Sequence, residues 1–186
     1  PPVPHAGPDQ FAEATSVVGT PVTLDGSGSS DPDGDPLTYE WRDASNNVVG
    51  SAASVILSLP IGSHTFTLTA TDDDSASSSD TVTVVVQDTL APSIAVTVPA
   101  VTTYALNQVV AASYVCSDAG SGVASCAGTA AHGAPIDTAT AGVKSFTIAA
   151  ADVAGNSGST TFTYTVSPGA PAITWPWKRC WRAASS

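Results

Sequence analysis

Residues 64–71 read His-Thr-Phe-Thr-Leu-Thr-Ala-Thr, and apolar and hydroxyl side chains alternate throughout this stretch. The apolar set is Phe66, Leu68 and Ala70, with threonine at every second position between and beside them. Successive side chains of a β-strand point to opposite faces, so the alternation predicts a strand with one buried face and one solvent face. No segment of useful length shows the apolar spacing of an amphipathic helix.

The same alternation recurs along the chain, and turn-forming segments separate its occurrences. The alternating apolar sets are Leu37/Tyr39/Trp41, Val55/Leu57/Leu59, Val82/Val84/Val86, Ile94/Val96/Val98, Val110/Ala112/Tyr114, Phe146/Ile148/Ala150 and Phe162/Tyr164/Val166. Many short strands separated by Gly-, Pro-, Ser- and Asp-rich turns predict an all-β protein, either a β-sandwich or a small barrel.

An internal repeat relates the two halves of the sequence. Residues 66–86 align without a gap on residues 146–166, an offset of 80 that matches Phe66 with Phe146. This repeat favours two tandem sandwiches of ~80 residues each.

The repeat predicts the domain organisation. A first domain covers residues 1–87, residues 88–92 form a short linker that contains proline, and a second domain covers residues 93–167. The irregular tail, residues 168–186, holds three of the four Trp and three of the five basic residues. One interpretation of this tail is an interfacial patch, because Trp and Arg favour membrane interfaces, although Pro176 breaks an amphipathic helix. The alternative is a linker remnant or sequence foreign to the domain.

The charge balance restricts the classes of partner. The chain of 186 residues has 16 acidic and five basic residues and a net charge of −11. We expect no nucleic-acid partner, because phosphate binding requires Lys and Arg. No apolar run approaches the ~20 residues of a membrane span, which predicts no transmembrane segment. The sequence begins at Pro1 without a signal peptide, so we expect it to be part of a longer protein.

The densest group of acidic residues is in one loop. Asp31, Asp33 and Asp35 repel one another, which costs stability unless a cation or solvent relieves the repulsion. Alternating aspartates in a Gly-containing loop supply the oxygen ligands that Ca²⁺ prefers. The spacing excludes an EF-hand, because Gly34 is at position 4 and Arg42 at position 12 of the loop. Solvated turns are the alternative interpretation.

Three blocks of sequence resemble a polycystic-kidney-disease-type (PKD) domain. They are Ala6–Gln10, Val22–Trp41 and Phe66–Asp72, and the last two contain Asp-x-Asp-Gly, Tyr-x-Trp and Thr-x-Thr-Asp in that order. The resemblance covers roughly residues 4–87. It implies an immunoglobulin-like sandwich of the kind found in secreted and surface proteins of bacteria and archaea.

The resemblance also implies a calcium site. In family members that bind Ca²⁺, the Asp-x-Asp-Gly aspartates and the Asp that closes the late strand are ligands, which correspond here to Asp31, Asp33 and Asp72. Asp35 and Asp74 are weaker candidates. One departure from the family is that its Trp-Asp-Phe-Gly-Asp-Gly stretch is here Trp41-Arg-Asp-Ala-Ser-Asn.

The second domain is similar to bacterial Ig-like domains. The matching residues are Tyr114–Gly122, Cys126 and Asp152–Asn156, the last reading Asp-Val-Ala-Gly-Asn. Asp118 and Asp152 are candidates for a degenerate counterpart of the first site, but two carboxylates are few ligands for a cation.

The cysteines predict a disulfide. Cys116 and Cys126 are expected to pair, because a zinc site needs more ligands than two cysteines and the distant His132. A disulfide indicates an oxidising compartment. Cys180 is left over, either free or paired between chains.

No set of residues indicates catalysis. His5, His64 and His132 lie in unrelated contexts, and the Asp clusters occupy turns rather than a cleft. We predict a non-catalytic extracellular or cell-surface module, structural or adhesive and Ca²⁺-stabilised, with neighbouring domains as partners. The alternative is a polysaccharide- or protein-binding accessory module of a secreted hydrolase. It needs exposed aromatics, for which Tyr104 and the tail tryptophans are the candidates, whereas Trp41 is predicted to lie in the core.

Overall fold

The computed structural model describes residues 1–169, which form thirteen β-strands and no α-helix. The prediction of an all-β protein made of two tandem immunoglobulin-like sandwiches is confirmed. Within this range there is no helix of the length and apolarity that a bilayer crossing requires. Most of the predicted tail, including Cys180 and its tryptophans, lies outside the described residues.

The first sandwich consists of seven strands in two sheets. One sheet has the order β1-β7-β6-β3-β4, and the other pairs β2 with β5. The strands are β1 (Gln10–Glu13), β2 (Thr20–Asp25), β3 (Thr38–Asp43), β4 (Val48–Gly50), β5 (Ser54–Leu59), β6 (Gly62–Thr71) and β7 (Ser77–Gln87).

The second sandwich consists of six strands, also in two sheets. The order is β11-β12-β13-β9 in one sheet, and the other pairs β10 with β8. The strands are β8 (Ser93–Val98), β9 (Thr103–Ala105), β10 (Ser113–Ser117), β11 (Val123–Gly128), β12 (Gly142–Asp152) and β13 (Ser157–Ser167). The predicted disulfide is present: Cys116 on β10 is bonded to Cys126 on β11, with their Cα atoms 5.9 Å apart, and it joins the two sheets.

Each sandwich has its own hydrophobic core, supplied by the inward side chains of the predicted strands. In the first, Leu68 and Trp41 are fully buried, and the Trp41 indole N–H donates to the Ala52 carbonyl at 3.1 Å. In the second, Phe146 and Ile148 occupy the same strand positions as Phe66 and Leu68 and are equally buried. The repeat in the sequence therefore corresponds to a repeat in packing.

Two segments depart from the predicted alternation. The strand expected from Val110 starts only at Ser113, and Ala111 forms an isolated bridge with Pro135. Phe162 lies opposite Phe146 in the β12–β13 ladder but is 38% exposed. The apolar pattern gives the face of the sheet, but it does not show how far the opposing sheet covers that face.

Leu68→Ala is expected to lower the free energy of unfolding of the first sandwich by about 2–5 kcal/mol, because it opens a cavity in a close-packed core. Ile56→Ala is the matched control: Ile56 is 73% exposed, so its truncation is expected to change stability by less than about 0.5 kcal/mol. Denaturant unfolding followed by circular dichroism measures both, and equal losses in the two variants would contradict this account of the core.

Candidate metal site

The candidate metal site lies at the pole of the first sandwich where β3 begins and β6 ends. Thr38 is paired with Thr71, and the Thr38 hydroxyl donates to the Thr71 carbonyl at 3.1 Å. The acidic loop precedes Thr38 and the turn of residues 72–76 follows Thr71. The pairing therefore brings these two acidic segments to the same end of the sheet.

Within the loop, Asp31 organises the backbone. Its Oδ1 accepts a hydrogen bond from the Asp33 amide at 2.7 Å, and its carbonyl accepts one from the Gly34 amide at 3.1 Å. Gly34 has a φ of 84°, a left-handed conformation that glycine adopts readily. In this folded turn Asp31, Asp33 and Asp35 each place a carboxylate oxygen within 4.8 Å of the others.

The second carboxylate oxygen of Asp31 has no partner within the described residues. Oδ2 is buried and receives no hydrogen bond. A buried polar atom without a partner is costly, roughly 1–3 kcal/mol and more for a charged group. Native proteins rarely leave such an atom unsatisfied, and an ion is one way to satisfy it.

The electrostatic surroundings of the loop are unfavourable for negative charge. Burial, together with the neighbouring charges of Asp73, Asp31, Asp33 and Asp74, raises the pKa of Asp35 above its ordinary value of 3.8. These are the conditions under which a bound cation stabilises a carboxylate cluster.

Basic side chains do not relieve this repulsion. Arg42 and Lys144 are the only Lys or Arg among residues 1–169. Arg42 pairs with Glu40 and Lys144 with Asp137, each at 2.7 Å.

Asp72 does not join the three loop aspartates in their cluster. Its Oδ1 accepts a hydrogen bond from the Ala76 amide at 2.8 Å, and its own amide donates to the Ala76 carbonyl. Asp72 is buried and holds the turn, whereas Asp73 and Asp74 at the tip are exposed and influence Asp35. Of the predicted ligands, the structure thus brings together Asp31, Asp33 and Asp35, with Asp74 in the adjacent turn.

A second carboxylate cluster lies where the two sandwiches meet. Asp88, Asp118 and Asp152 each have a carboxylate oxygen within 4.8 Å of the others, and Asp88 and Asp152 are only 8% and 3% exposed. The sequence indicated Asp118 and Asp152 but not Asp88, which falls in the predicted linker. No local signal marks Asp88, since it is far from both partners in sequence.

The second cluster differs from the first because its carboxylates are hydrogen-bonded. Asp118 Oδ1 accepts from the Ser121 and Gly122 amides, and Asp152 accepts from the Asn156 amide and side chain. Hydrogen bonding by Ser121 lowers the pKa of Asp88. Each carboxylate of this cluster therefore has hydrogen-bond donors from the protein, unlike Oδ2 of Asp31 in the first cluster.

One candidate for a carbohydrate-binding surface, Tyr104, does not fit that role, whereas the tail tryptophans lie outside the described residues. Tyr104 was a candidate exposed aromatic, but it is 6% exposed and packs edge-on against Tyr164, so the assignment is wrong. The Tyr104 ring fills the core because its strand, β9, pairs with β13. Trp41 lies in the core, as predicted.

The fold defines a pair of immunoglobulin-like sandwiches, and a family comparison identifies the first. Residues 6–86 match the family described as K319L-like, PKD domain. The first sandwich is therefore similar to PKD domains. Comparison with curated proteins gives no match.

Several solved structures are similar to parts of the chain. A nucleoside hydrolase-related protein from Saccharophagus degradans, associated with carbohydrate metabolism, is 30% identical over 46% of this chain, with a TM-score of 0.37. The match spans only 25% of that protein's length. The PKD domain of the KIAA 1837 protein is 28% identical over 48% of this chain and 90% of its own, with a TM-score of 0.39. Titin domains z1z2, solved with telethonin, are 13% identical over 91% of this chain and 98% of their own, with a TM-score of 0.47.

Asp35→Asn is expected to raise the melting temperature of the metal-free protein at neutral pH, because it removes a charge that burial and neighbouring carboxylates oppose. Asp43→Asn is the contrasting variant and is expected to lower it. The Asn47 side chain and backbone amides donate to Asp43 and lower its pKa.

The differences in melting temperature between each of these two variants and the wild-type protein are expected to vanish on acidification. The penalty from ionised Asp35 disappears as pH falls through its raised pKa, and the stabilisation by Asp43 is lost as pH falls through its lowered pKa. Thermal unfolding in a chelator from pH 7 to pH 3 measures both. Shifts of the same sign at neutral pH would refute the electrostatic description of the loop.

Proposed function

We propose that this chain is a non-catalytic structural segment of an extracellular protein and that its PKD-like domain is stabilised by Ca²⁺. The observation that carries the metal assignment is the buried, unpartnered Oδ2 of Asp31 in a cluster with two other carboxylates. The ligands are Asp31, Asp33 and Asp35. Ca²⁺ binds carboxylate oxygens of this kind, and its coordination geometry is flexible enough for ligands that lie on a loop.

The residues around the cation have separate tasks. Asp31 holds the loop in its turn through Oδ1, which accepts a hydrogen bond from the Asp33 amide. Its Oδ2 is the oxygen that binds the metal, so one side chain has both a structural and a ligand role. Asp72 holds the neighbouring turn, and Asp73 and Asp74 at its tip add negative potential. The cation supplies positive charge that lowers the repulsion among these carboxylates. The benefit appears as stability of the fold, since any ligand that binds only the folded state stabilises it.

An extracellular location is supported by two features. The Cys116–Cys126 disulfide is a bond that persists in oxidising compartments. Residues 6–86 match a PKD-type family, and domains of this type are modules of secreted and surface proteins. The role of such a pair is to space or present neighbouring domains of a longer protein, including in adhesion.

The alternative role, binding of an extracellular polysaccharide or protein by exposed aromatics, has less support. Among the described residues the exposed aromatics of note are Phe11, 77% exposed, and Phe162, 38% exposed, and they lie on different sandwiches. Two separated rings do not form the row of stacking platforms that a polysaccharide requires.

Addition of Ca²⁺ to the chelator-treated protein is expected to raise its melting temperature. At a free concentration of 100 times Kd, linkage contributes about 2.7 kcal/mol, or roughly 5–11 °C for a chain of this size. Asp31→Asn is expected to abolish the rise, because it removes the charge of the ligand that has no other partner. Differential scanning calorimetry measures the shift, and isothermal titration calorimetry measures binding directly.

Asp25→Asn is the matched control. Asp25 also bends a loop, through a bond from the Ser27 amide, but lies outside the cluster, so this variant should retain the full calcium shift. A wild-type protein without any shift, or a shift that survives Asp31→Asn, would remove the metal from the proposal.

A further inference from the structure

Asp88 links the first sandwich to the second. It follows directly after Gln87, the last residue of β7, so its backbone is continuous with the five-stranded sheet of the first sandwich. Its side chain, however, contacts the second sandwich: Oδ2 accepts a hydrogen bond from the Ser121 amide at 2.9 Å. Asp88 is only 8% exposed, so this residue of the predicted linker is buried.

The second sandwich is shaped to receive Asp88. Gly120 is buried against the carboxylate, and a Cβ atom at that position would lie 2.7 Å from Asp88 Cγ. Atoms do not approach so closely without displacement, so glycine is required for the contact. Gly120 does not have a positive φ, and its role here is therefore close approach rather than backbone freedom.

The turn after β12 holds the other side of Asp88. The Asn156 side-chain amide donates both to the Asp88 carbonyl at 3.0 Å and to Asp152 Oδ2 at 2.9 Å. Asp152 in turn accepts from the Gly155 and Asn156 amides. The Asp-Val-Ala-Gly-Asn sequence therefore forms a folded turn whose last side chain binds the incoming chain.

A second attachment comes from the first sandwich. Glu13, at the end of β1, accepts hydrogen bonds from the Thr89 amide at 2.7 Å and the Thr89 hydroxyl at 2.6 Å. The Leu90 amide donates to Asp88 Oδ1 at 3.2 Å. Of the five residues between β7 and β8, Asp88 and Thr89 are thus hydrogen-bonded to groups of the two sandwiches, and Pro92 is buried.

Apolar residues of both sandwiches also line the same junction. A cleft of about 350 Å³ is lined by Val17, Pro60 and Ile61 of the first sandwich and by Val153 of the second. Val17 also lies against Gly122, where a Cβ would be 3.4 Å from its Cγ1. On the second sandwich this cleft adjoins the Asp88 attachment, because Val153 is in the same turn as Asn156 and Gly122 follows closely after Gly120.

We infer that the two sandwiches form one rigid body, fastened at a joint made of Glu13, Asp88, Gly120 and Asn156. Short connections that are hydrogen-bonded at both ends lose the torsional freedom that a linker needs for rotation. Domain pairs with small polar interfaces move relative to each other by default, and this joint removes that freedom. The joint is built from the chain's own groups.

The test is the alignment of the two sandwiches in the full chain, measured by amide residual dipolar couplings in a chelator. In the wild-type protein both sandwiches are expected to give the same alignment tensor. Asp88→Ala removes the bonds to Ser121 and Leu90 and is expected to give two different tensors. Different tensors in the wild type would overturn the inference.

Two further variants keep the inference testable if Asp88→Ala does not fold. Gly120→Ala is expected to displace the carboxylate and separate the tensors, whereas Gly158→Ala, where a Cβ has no neighbour nearer than 3.6 Å, should leave them equal. Glu13→Ala changes a partly exposed side chain of the first sandwich alone and should also separate them. The joint would be refuted if Glu13→Ala kept a common tensor and at least one of Asp88→Ala and Gly120→Ala kept it as well.

Discussion

The antiparallel ladder between β6 and β7 is the constraint on which the first sandwich depends. Ten residue pairs, from Gly62↔Val86 to Thr71↔Ser77, fix which side chains face inward. A shift of one residue would move Phe66 and Leu68 to the solvent face and threonines to the core. The hydrophobic effect therefore specifies the register as well as the strands, and the β12–β13 ladder repeats the arrangement in the second sandwich.

The ladder also determines the position of the aspartate-containing turn in each sandwich. In both sandwiches it ends in an Asp-initiated turn, with Asp72 bonded to Ala76 and Asp152 bonded to Asn156 in the same way. The turns differ in what surrounds them. The first has two further aspartates at its tip and lies beside an acidic loop, whereas the second ends in an asparagine that holds the preceding segment of chain. One structural device thus serves a charged pole in one copy and a junction in the other.

The sequence predicts features that depend on local spacing and omits those that depend on distant contacts. The two-residue period identifies β6 and β7 because burial on one face selects alternating side chains. The three loop aspartates are also evident, since they are adjacent in sequence. Asp72 is assigned to the cluster by its place at the end of a predicted strand and by family resemblance, whereas its hydrogen bonds with Ala76 are a property of the folded turn. The spacing of residues in the sequence does not predict a role for Asp88, because only tertiary packing brings it close to Asp118 and Asp152.

The short strand β1 pairs in parallel with β7, from Gln10↔Val84 to Glu13↔Gln87, and β9 pairs in parallel with β13. In each sandwich a strand near its beginning thus runs alongside its last strand. Tension applied along the chain pulls β1 and β7 in opposite directions parallel to their length. The hydrogen bonds between them are then loaded together in shear rather than opened one after another from an end. The parallel direction of these two pairs therefore determines how their hydrogen bonds are loaded when the paired strands are pulled apart along their length.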